Sequence, residues 1–208
     1  MYLFTRQARL LGADGIKWAT TIRDHVASVT ESEIQLWATT LSPGFGTVAW
    51  TSWWDDLGSL SSSFAKLVGD AKYSALAAEG AQFVNGAVDD MLYQTLYGGS
   101  GDSGSVQLVS SIRAACATGQ LTAAMGNGVE IAQRAESITG RPTMFLTNVT
   151  GNYGGVTWLA GYENLAAFED ANAKLNADPD WLAFIDGATT CYAQDVGVTQ
   201  STLHVLIP

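Results

Sequence analysis

The feature that most constrains this chain is a stretch that occurs twice. Residues 46–57, GTVAWTSWWDDL, have a second copy 108 residues later at 154–165, GGVTWLAGYENL. Each copy passes from an apolar pattern typical of a strand into one typical of a helix. When residues 35–76 are slid onto 143–184 without a gap, ten of 42 positions are identical. The sequence therefore predicts one fold unit that is encoded twice.

Hydrophobic periodicity predicts the same order of elements in each half. A strand and a helix are followed by a two-stranded hairpin, a second helical region and a last strand. This order is that of the ferredoxin-like βαββαβ unit. We predict an α+β fold with ferredoxin-like repeats at residues 1–97 and 106–208, joined by a Gly/Ser linker at 98–105.

A ferredoxin-like sheet carries its helices on one face and leaves the other, apolar face to be covered. Two such sheets can cover each other, so we expect the antiparallel sheets of the two repeats to face each other as an intrachain α/β barrel. Val48 and Trp50 recur as Val156 and Trp158 and are predicted to lie in the core. The sequence leaves open which face of these strands points to the helices.

This organisation resembles the dimeric α/β-barrel superfamily, which includes antibiotic-biosynthesis monooxygenase-like, NIPSNAP-like and stress-responsive A/B-barrel proteins. The resemblance rests on the βαββαβ order, the strand-to-helix passages at 50–57 and 158–165, and the DPDW sequence at 178–181. Single-domain members pair as dimers, which a fused tandem would do within one chain. Members are commonly cofactor-free oxygenases, haem-degrading enzymes, isomerases, decarboxylases or cyclases, and others have no known activity.

The net charge argues against two classes of partner. Twenty acidic residues against ten basic ones give a net charge of -10, which disfavours nucleic acid and anionic membrane surfaces. No apolar run approaches the length of a membrane span, and the N-terminal sequence lacks the pattern of a signal peptide. We expect a cytoplasmic protein for which a small hydrophobic ligand and a homo-oligomer on the outer helices are both possible.

Metal and nucleotide motifs are absent from the sequence. Cys116 and Cys191 lie outside any CxxC context and are predicted to be buried, unbonded thiols. Neither a GxGxxG nor a GxxxxGK[ST] pattern occurs. We therefore expect no cofactor and no metal. Haem, which the resemblance allows, has no support among the residues beyond His25 as a conceivable ligand.

Five residues are candidates for a site in the first half, where five of the seven tryptophans occur. His25 lies beside the apolar stripe of the first helix and could be a general base. Arg6 on the first strand could bind a carboxylate. Trp37, Trp53 and Tyr93 are predicted to line a hydrophobic pocket. The alternatives are a partly buried helix histidine, a surface ion pair and aromatic residues that fill the core.

Several other polar residues have a structural explanation. Arg113 on the first strand of the second half is either an anion ligand or part of an ion pair. His204 lies between apolar residues of the last strand and is expected to be structural. Asp55, Asp56 and Glu163 stand at helix starts, where acids cap the helix, and Asp55 is the predicted start signal.

Two hypotheses about function follow. The chain is a cofactor-independent oxygenase-type enzyme that acts on a hydrophobic or aromatic molecule, with His25 and Arg6 as catalytic residues. Alternatively, it is a non-catalytic α/β-barrel protein used for binding or assembly. The scarcity of paired polar groups favours the second hypothesis, and the wealth of aromatic residues favours a pocket in either case.

Overall fold

The computed structural model describes residues 1–99, 105–195 and 197–208. Over these residues the chain forms eight strands and six α-helices. In chain order the elements are β1 (Tyr2–Arg9), α1 (Gly12–Thr30), β2 (Gln35–Thr40), β3 (Thr47–Trp54), α2 (Leu57–Leu67), α3 (Ala71–Gly80), β4 (Asp89–Tyr97), β5 (Leu108–Ala115), α4 (Leu121–Thr139), β6 (Thr143–Asn148), β7 (Gly155–Tyr162), α5 (Leu165–Ala177), α6 (Pro179–Ala188) and β8 (Gln200–Ile207).

The strands form a closed barrel in the order β1-β3-β2-β8-β5-β7-β6-β4. The strand pairs β1–β3, β2–β3, β4–β6, β5–β7 and β6–β7 are antiparallel. The predicted α+β class with an antiparallel α/β barrel is therefore confirmed. Each half also has the predicted order of elements, with the second helical region split into two helices.

The described chain divides into two compact units. Unit 1 comprises Met1–Leu92 and Val205–Pro208, and unit 2 comprises Tyr93–His204. Residues 100–104, which make up most of the predicted Gly/Ser linker, lie outside the described residues.

The shared tryptophan of each unit fixes the orientation of its sheet. The indole Nε1–H of Trp50 donates to the backbone carbonyl of Ala19 in α1 at 3.0 Å, and that of Trp158 donates to Gly128 in α4 at 2.9 Å. Both tryptophans are buried, so their predicted place in the core is confirmed. Because side chains alternate along a strand, the residues next to each tryptophan lie on the face away from the helices.

The two hairpins differ in register, which corrects the ungapped sequence match. Leu36 of β2 pairs with Trp50, whereas Phe145 of β6 pairs with Trp158. The 108-residue shift would instead place Met144 opposite Trp158. A shift of one residue exchanges the two faces of a strand. The residue of unit 2 that is equivalent to Leu36, on the helix side of the sheet, is therefore Phe145.

The helix starts follow the predicted chemistry with one change of residue. The N-cap of α2 is Asp56 rather than Asp55, and its carboxylate accepts a backbone N–H of the first turn at 2.8 Å. Asn164 caps α5 in the same way. Glu163 is not a cap and forms an ion pair with Arg141 instead. A cap must stand immediately before the first helical residue, which Asp55 and Glu163 do not.

Candidate functional site

A cavity of about 470 Å³ lies within unit 1, between its helices and its sheet. Most of its wall is apolar and aromatic. The polar side chains that border it include two arginines and one tyrosine. Its size falls within the range of small-molecule sites, which bury most of a ligand against apolar surface.

The aromatic wall includes three tryptophans. The rings of Trp18 and Trp50 meet edge to face with their centroids 5.8 Å apart. Trp18 donates its indole N–H to the carbonyl of Leu76 at 2.8 Å, and Trp54 donates to Oγ of Ser52 at 2.8 Å. Because each indole N–H already has a partner, these tryptophans can offer a ligand only their apolar ring surfaces.

The polar part of the wall is centred on Arg6. Its Nε and Nη2 atoms donate to the two carboxylate oxygens of Asp90, each at 2.7 Å. Nη1 donates to the hydroxyl oxygen of Tyr73 at 3.1 Å. The hydrogen bond to Asp90 is the main cause that raises the pKa of Arg6. A fixed cation therefore stands beside the aromatic wall, and its side chain is 36% exposed.

Arg23 of α1 is the second arginine at the cavity. Its Nε donates to Asp24 at 2.8 Å, and Nη1 donates to the backbone carbonyl of Ile207 at 3.0 Å. Its side chain is mostly buried, at 16% exposure. The wall of the cavity therefore has cationic groups on two different elements, β1 and α1.

His25 is held outside this wall. Its Nε2 lies 2.9 Å from Oδ1 of Asp70, the residue that caps α3. The same carboxylate accepts the backbone N–H of Tyr73 at 2.6 Å. The pKa of Asp70 is lowered, first by the bond from Tyr73 and then by the bond from His25. His25 thus links α1 to the start of α3.

We expect the Asp70→Asn variant to lose stability only when the carboxylate is charged. Asparagine keeps a capping oxygen but removes the charge. Because the folded pKa of Asp70 lies below 3.8, its charge stabilises the fold above about pH 4 and this contribution disappears as the pH falls through the folded pKa. The unfolding free energies of both proteins in urea should therefore differ at about pH 7 and converge once the pH has fallen below the folded pKa of Asp70. A difference that stays constant over this range would contradict the assignment.

The predicted aromatic residues lie elsewhere. Trp37 and Trp53 are on the face of the unit 1 sheet away from the helices, where Trp37 donates its N–H to Oγ1 of Thr51 at 3.1 Å. Tyr93 belongs to unit 2 and is buried, which raises its pKa. Of the five predicted site residues, only Arg6 borders this cavity.

Sequence reasoning missed Trp18, Trp54 and Tyr73 as wall residues. A signal for one of them was present, because Trp54 is four residues after Trp50 and therefore on the same face of β3. Trp18 comes from α1, and Tyr73 from α3. Their meeting with β1 and β3 depends on helix packing, which has no local sequence signal.

The described residues contain neither a metal-binding cluster nor a helix that could span a membrane. Within residues 1–99, 105–195 and 197–208, no group of three or more His, Cys, Asp or Glu side chains could hold a metal ion. Cys116 and Cys191 are free thiols. None of the helices in the described part of the chain is both long and apolar enough to cross a bilayer.

Comparisons with known proteins identify the fold. No protein-family model and no curated protein sequence matches the chain. A crystal structure of a candidate monooxygenase from Fusobacterium nucleatum subsp. nucleatum ATCC 25586 has a TM-score of 0.70 at 8% identity, covering 100% of this chain and 92% of that one. An anthrone oxidase-like protein has a TM-score of 0.63 at 9% identity, covering 100% and 91%.

A candidate monooxygenase from Lactobacillus acidophilus NCFM has a TM-score of 0.61 at 10% identity, covering 99% of this chain and 93% of that one. The similarity extends over both units of this chain in all three cases. The α/β-barrel fold that the resemblance implied is thus confirmed. At these identities, the comparisons establish the architecture alone.

Proposed function

We propose that the cavity of unit 1 binds a hydrophobic, aromatic small molecule and that the protein is an oxygenase-type enzyme acting on it without a bound cofactor. The observation that carries this proposal is the aromatic wall of Trp18, Trp50 and Trp54 with the fixed cation of Arg6 beside it. The names of the structural neighbours, candidate monooxygenases and an anthrone oxidase-like protein, agree with it.

Arg6 and Tyr73 are the proposed catalytic residues. Oxidation of an activated aromatic molecule by O₂ builds negative charge on a substrate oxygen, and a fixed guanidinium in an apolar wall stabilises such charge. Asp90 holds Arg6 in place for this role. The Tyr73 hydroxyl oxygen accepts a bond from Arg6, which leaves its proton available for a substrate oxygen.

Haem fits this cavity poorly. A haem site needs an axial ligand such as an imidazole nitrogen. Nε2 of His25 is occupied by Asp70, and His25 is not part of the wall. The proposal therefore uses no haem, and His25 becomes a residue that positions α1 and α3 rather than a base.

A non-catalytic binding protein is the alternative, and one observation favours it. Arg6 is already neutralised by Asp90, and the three indole N–H groups are bonded to protein atoms. A wall whose polar groups satisfy one another is suited to binding an apolar ligand without acting on it.

Val26→Phe should close the cavity to ligands. Val26 borders the cavity from α1, so a phenyl ring there takes up ligand volume. We expect the affinity for the neutral dye Nile red, measured by fluorescence titration, to fall at least about tenfold, or about 1.4 kcal/mol of binding free energy.

Ser28→Phe is the matched control, because Ser28 is exposed on the same helix. This variant should bind the dye as the unmodified protein does. Equal binding by Val26→Phe and the unmodified protein would place the hydrophobic site elsewhere.

Oxygen uptake separates the two functions. With 1,8-dihydroxyanthrone as probe, the enzyme hypothesis expects O₂ consumption above the protein-free rate. Arg6→Gln should lower kcat by about 10²-fold, as removal of a single oxyanion donor does. If the probe binds in the cavity and the uptake equals the protein-free rate, the binding hypothesis replaces the oxygenase.

A further inference from the structure

Three buried polar atoms of unit 2 have no hydrogen-bond partner among the described residues: Oγ1 of Thr95, Nε of Arg113 and Oγ1 of Thr157. Thr157 is 3% exposed. Buried polar atoms in folded proteins are almost always hydrogen-bonded, so each exception calls for an explanation, such as a bound water or ligand. A single explanation should account for all three atoms, because the three residues lie side by side in the sheet.

The strand register places these residues in a single row. Thr95 of β4 pairs with Leu146 of β6, Leu146 pairs with Thr157 of β7, and Thr157 pairs with Arg113 of β5. Paired residues point to the same face of a sheet. Trp158, the neighbour of Thr157 in sequence, points to the helices, so the row lies on the face away from them.

Arg113 is the only charged group of this row, and its charge is not compensated. Among the described residues no carboxylate forms an ion pair with it, although the chain has a net charge of -10. Burial, and to a smaller extent the charge of Arg113, lower the pKa of His204 to about 4. His204 is therefore neutral at pH 7 and adds no charge. Tyr93 is also buried. Burial raises its pKa, and the positive charge of Arg113 acts in the opposite direction and lowers it.

The row is specific to unit 2. In unit 1 the pair that corresponds to Arg113 and Thr157 is Gln7 and Ala49. Each of these pairs is the next one along the strands after the pair that contains the shared tryptophan, Trp50 or Trp158. A neutral amide and a methyl group replace the cation and the hydroxyl. The fold itself therefore does not require the polar row.

We propose that the row of Thr95, Thr157 and Arg113 is a binding site for an organic carboxylate. Nε of Arg113 would donate to one carboxylate oxygen, and the two threonine hydroxyls would donate to the other. The planar guanidinium matches a carboxylate in geometry. A single positive charge is balanced by a monoanion, whereas a buried dianion would leave charge without a partner.

This site is independent of the cavity in unit 1, and it shares no residue with it. The proposed function can therefore fail while this site is real, and the reverse also holds. Ordered water bonded to the three atoms is the competing explanation, and the experiment below distinguishes it.

Side-chain ¹⁵N–¹H spectra of the arginine Nε groups test the proposal on the full chain. Titration with benzoate should move one Nε–H resonance saturably, and the neutral analogue benzamide should not move it. This resonance should be missing in Arg113→Gln and present in Arg9→Gln, which removes the same charge from an exposed position at the end of β1. Absence of a saturable shift, an equal shift with benzamide, or a shift that persists in Arg113→Gln would each overturn the site in favour of water.

Thr157→Val keeps the test decisive if Arg113→Gln does not fold. Valine has nearly the shape of threonine and lacks only the hydroxyl. The benzoate dissociation constant of this variant should rise about tenfold, the loss expected for one hydrogen bond to a charged group. An unchanged dissociation constant would remove Thr157 from the site and overturn the row as its basis.

Discussion

Gly128→Ala is expected to lower the free energy of unfolding by about 3 kcal/mol, the upper part of the range for overpacked cores. A Cβ atom at this position would overlap the ring of Phe145, with Cζ, Cε1 and Cε2 as its nearest atoms. Phe145 is fully buried, and Trp158 is bonded to the Gly128 carbonyl, so neither the ring nor the helix can withdraw freely. Chemical denaturation measures the loss.

Two variants show whether the clash is the cause. Gly126 lies in the same helix with nothing within 4 Å of a built Cβ, so Gly126→Ala should stabilise the protein by about 0.5–1 kcal/mol through helix propensity. The double variant Gly128→Ala with Phe145→Leu should recover most of the stability lost in Gly128→Ala. A double variant as unstable as the single one would contradict the proposed overlap.

Unit 1 supplies the reason for the double variant. Ala19 holds the carbonyl that accepts the Trp50 indole, and Leu36 pairs with Trp50 across the hairpin. Alanine with leucine thus fills in unit 1 the space that Gly128 with Phe145 fills in unit 2. Unit 2 combines the smallest residue, glycine, with a large phenylalanine, whereas unit 1 uses alanine with leucine. In both units the larger side chain compensates for the smaller one, as close packing requires.

The elements of the fold could be predicted from sequence because their signals are local. Alternation along β3 and β7, helical spacing in α1 and the proline at the start of α6 are all contained within a few residues. The recurrence of Trp50 as Trp158 further indicated which residues carry the core. The register of β6 could not be predicted, because TMFLTN at 143–148 is apolar on both faces at its centre and has polar residues on both faces at its ends.

The site was less predictable, since it depends on contacts between distant residues. Arg6 and Asp90 are 84 positions apart and meet only because β1 and the start of β4 lie together in unit 1. His25 was a reasonable candidate from its place on α1, yet the partner that engages it, Asp70, is itself a helix cap. Arg113 offered the opposite case, because the sequence showed its charge but not that its buried Nε has no partner.

The two units differ at the positions where the proposed chemistry would take place. Arg6 and Trp50 pair in unit 1, and the equivalent pair in unit 2 is Ile112 and Trp158. The tryptophan that stabilises the fold is kept, whereas the charged residue beside it is not. On the face away from the helices the charged residue is in unit 2 instead: Arg113 stands where unit 1 has the neutral Gln7. We infer that the packing is common to both units and that each proposed site belongs to one unit.

Trp50→Ala should therefore be among the most destabilising single changes in unit 1, at about 3–5 kcal/mol. The indole is buried, meets Trp18 edge to face at 5.8 Å and donates to α1, so its removal takes away packing and a hydrogen bond together. Trp50→Phe keeps most of the packing and should cost about 1–2 kcal/mol for the lost N–H bond and the smaller ring.

Trp53→Ala is the control on the same strand, because Trp53 is only half-buried and lies on the face away from the helices. Urea unfolding should rank the losses as Trp50→Ala, then Trp53→Ala, and a larger loss for Trp53→Ala would mean that the unshared tryptophan, not the shared one, holds this unit together.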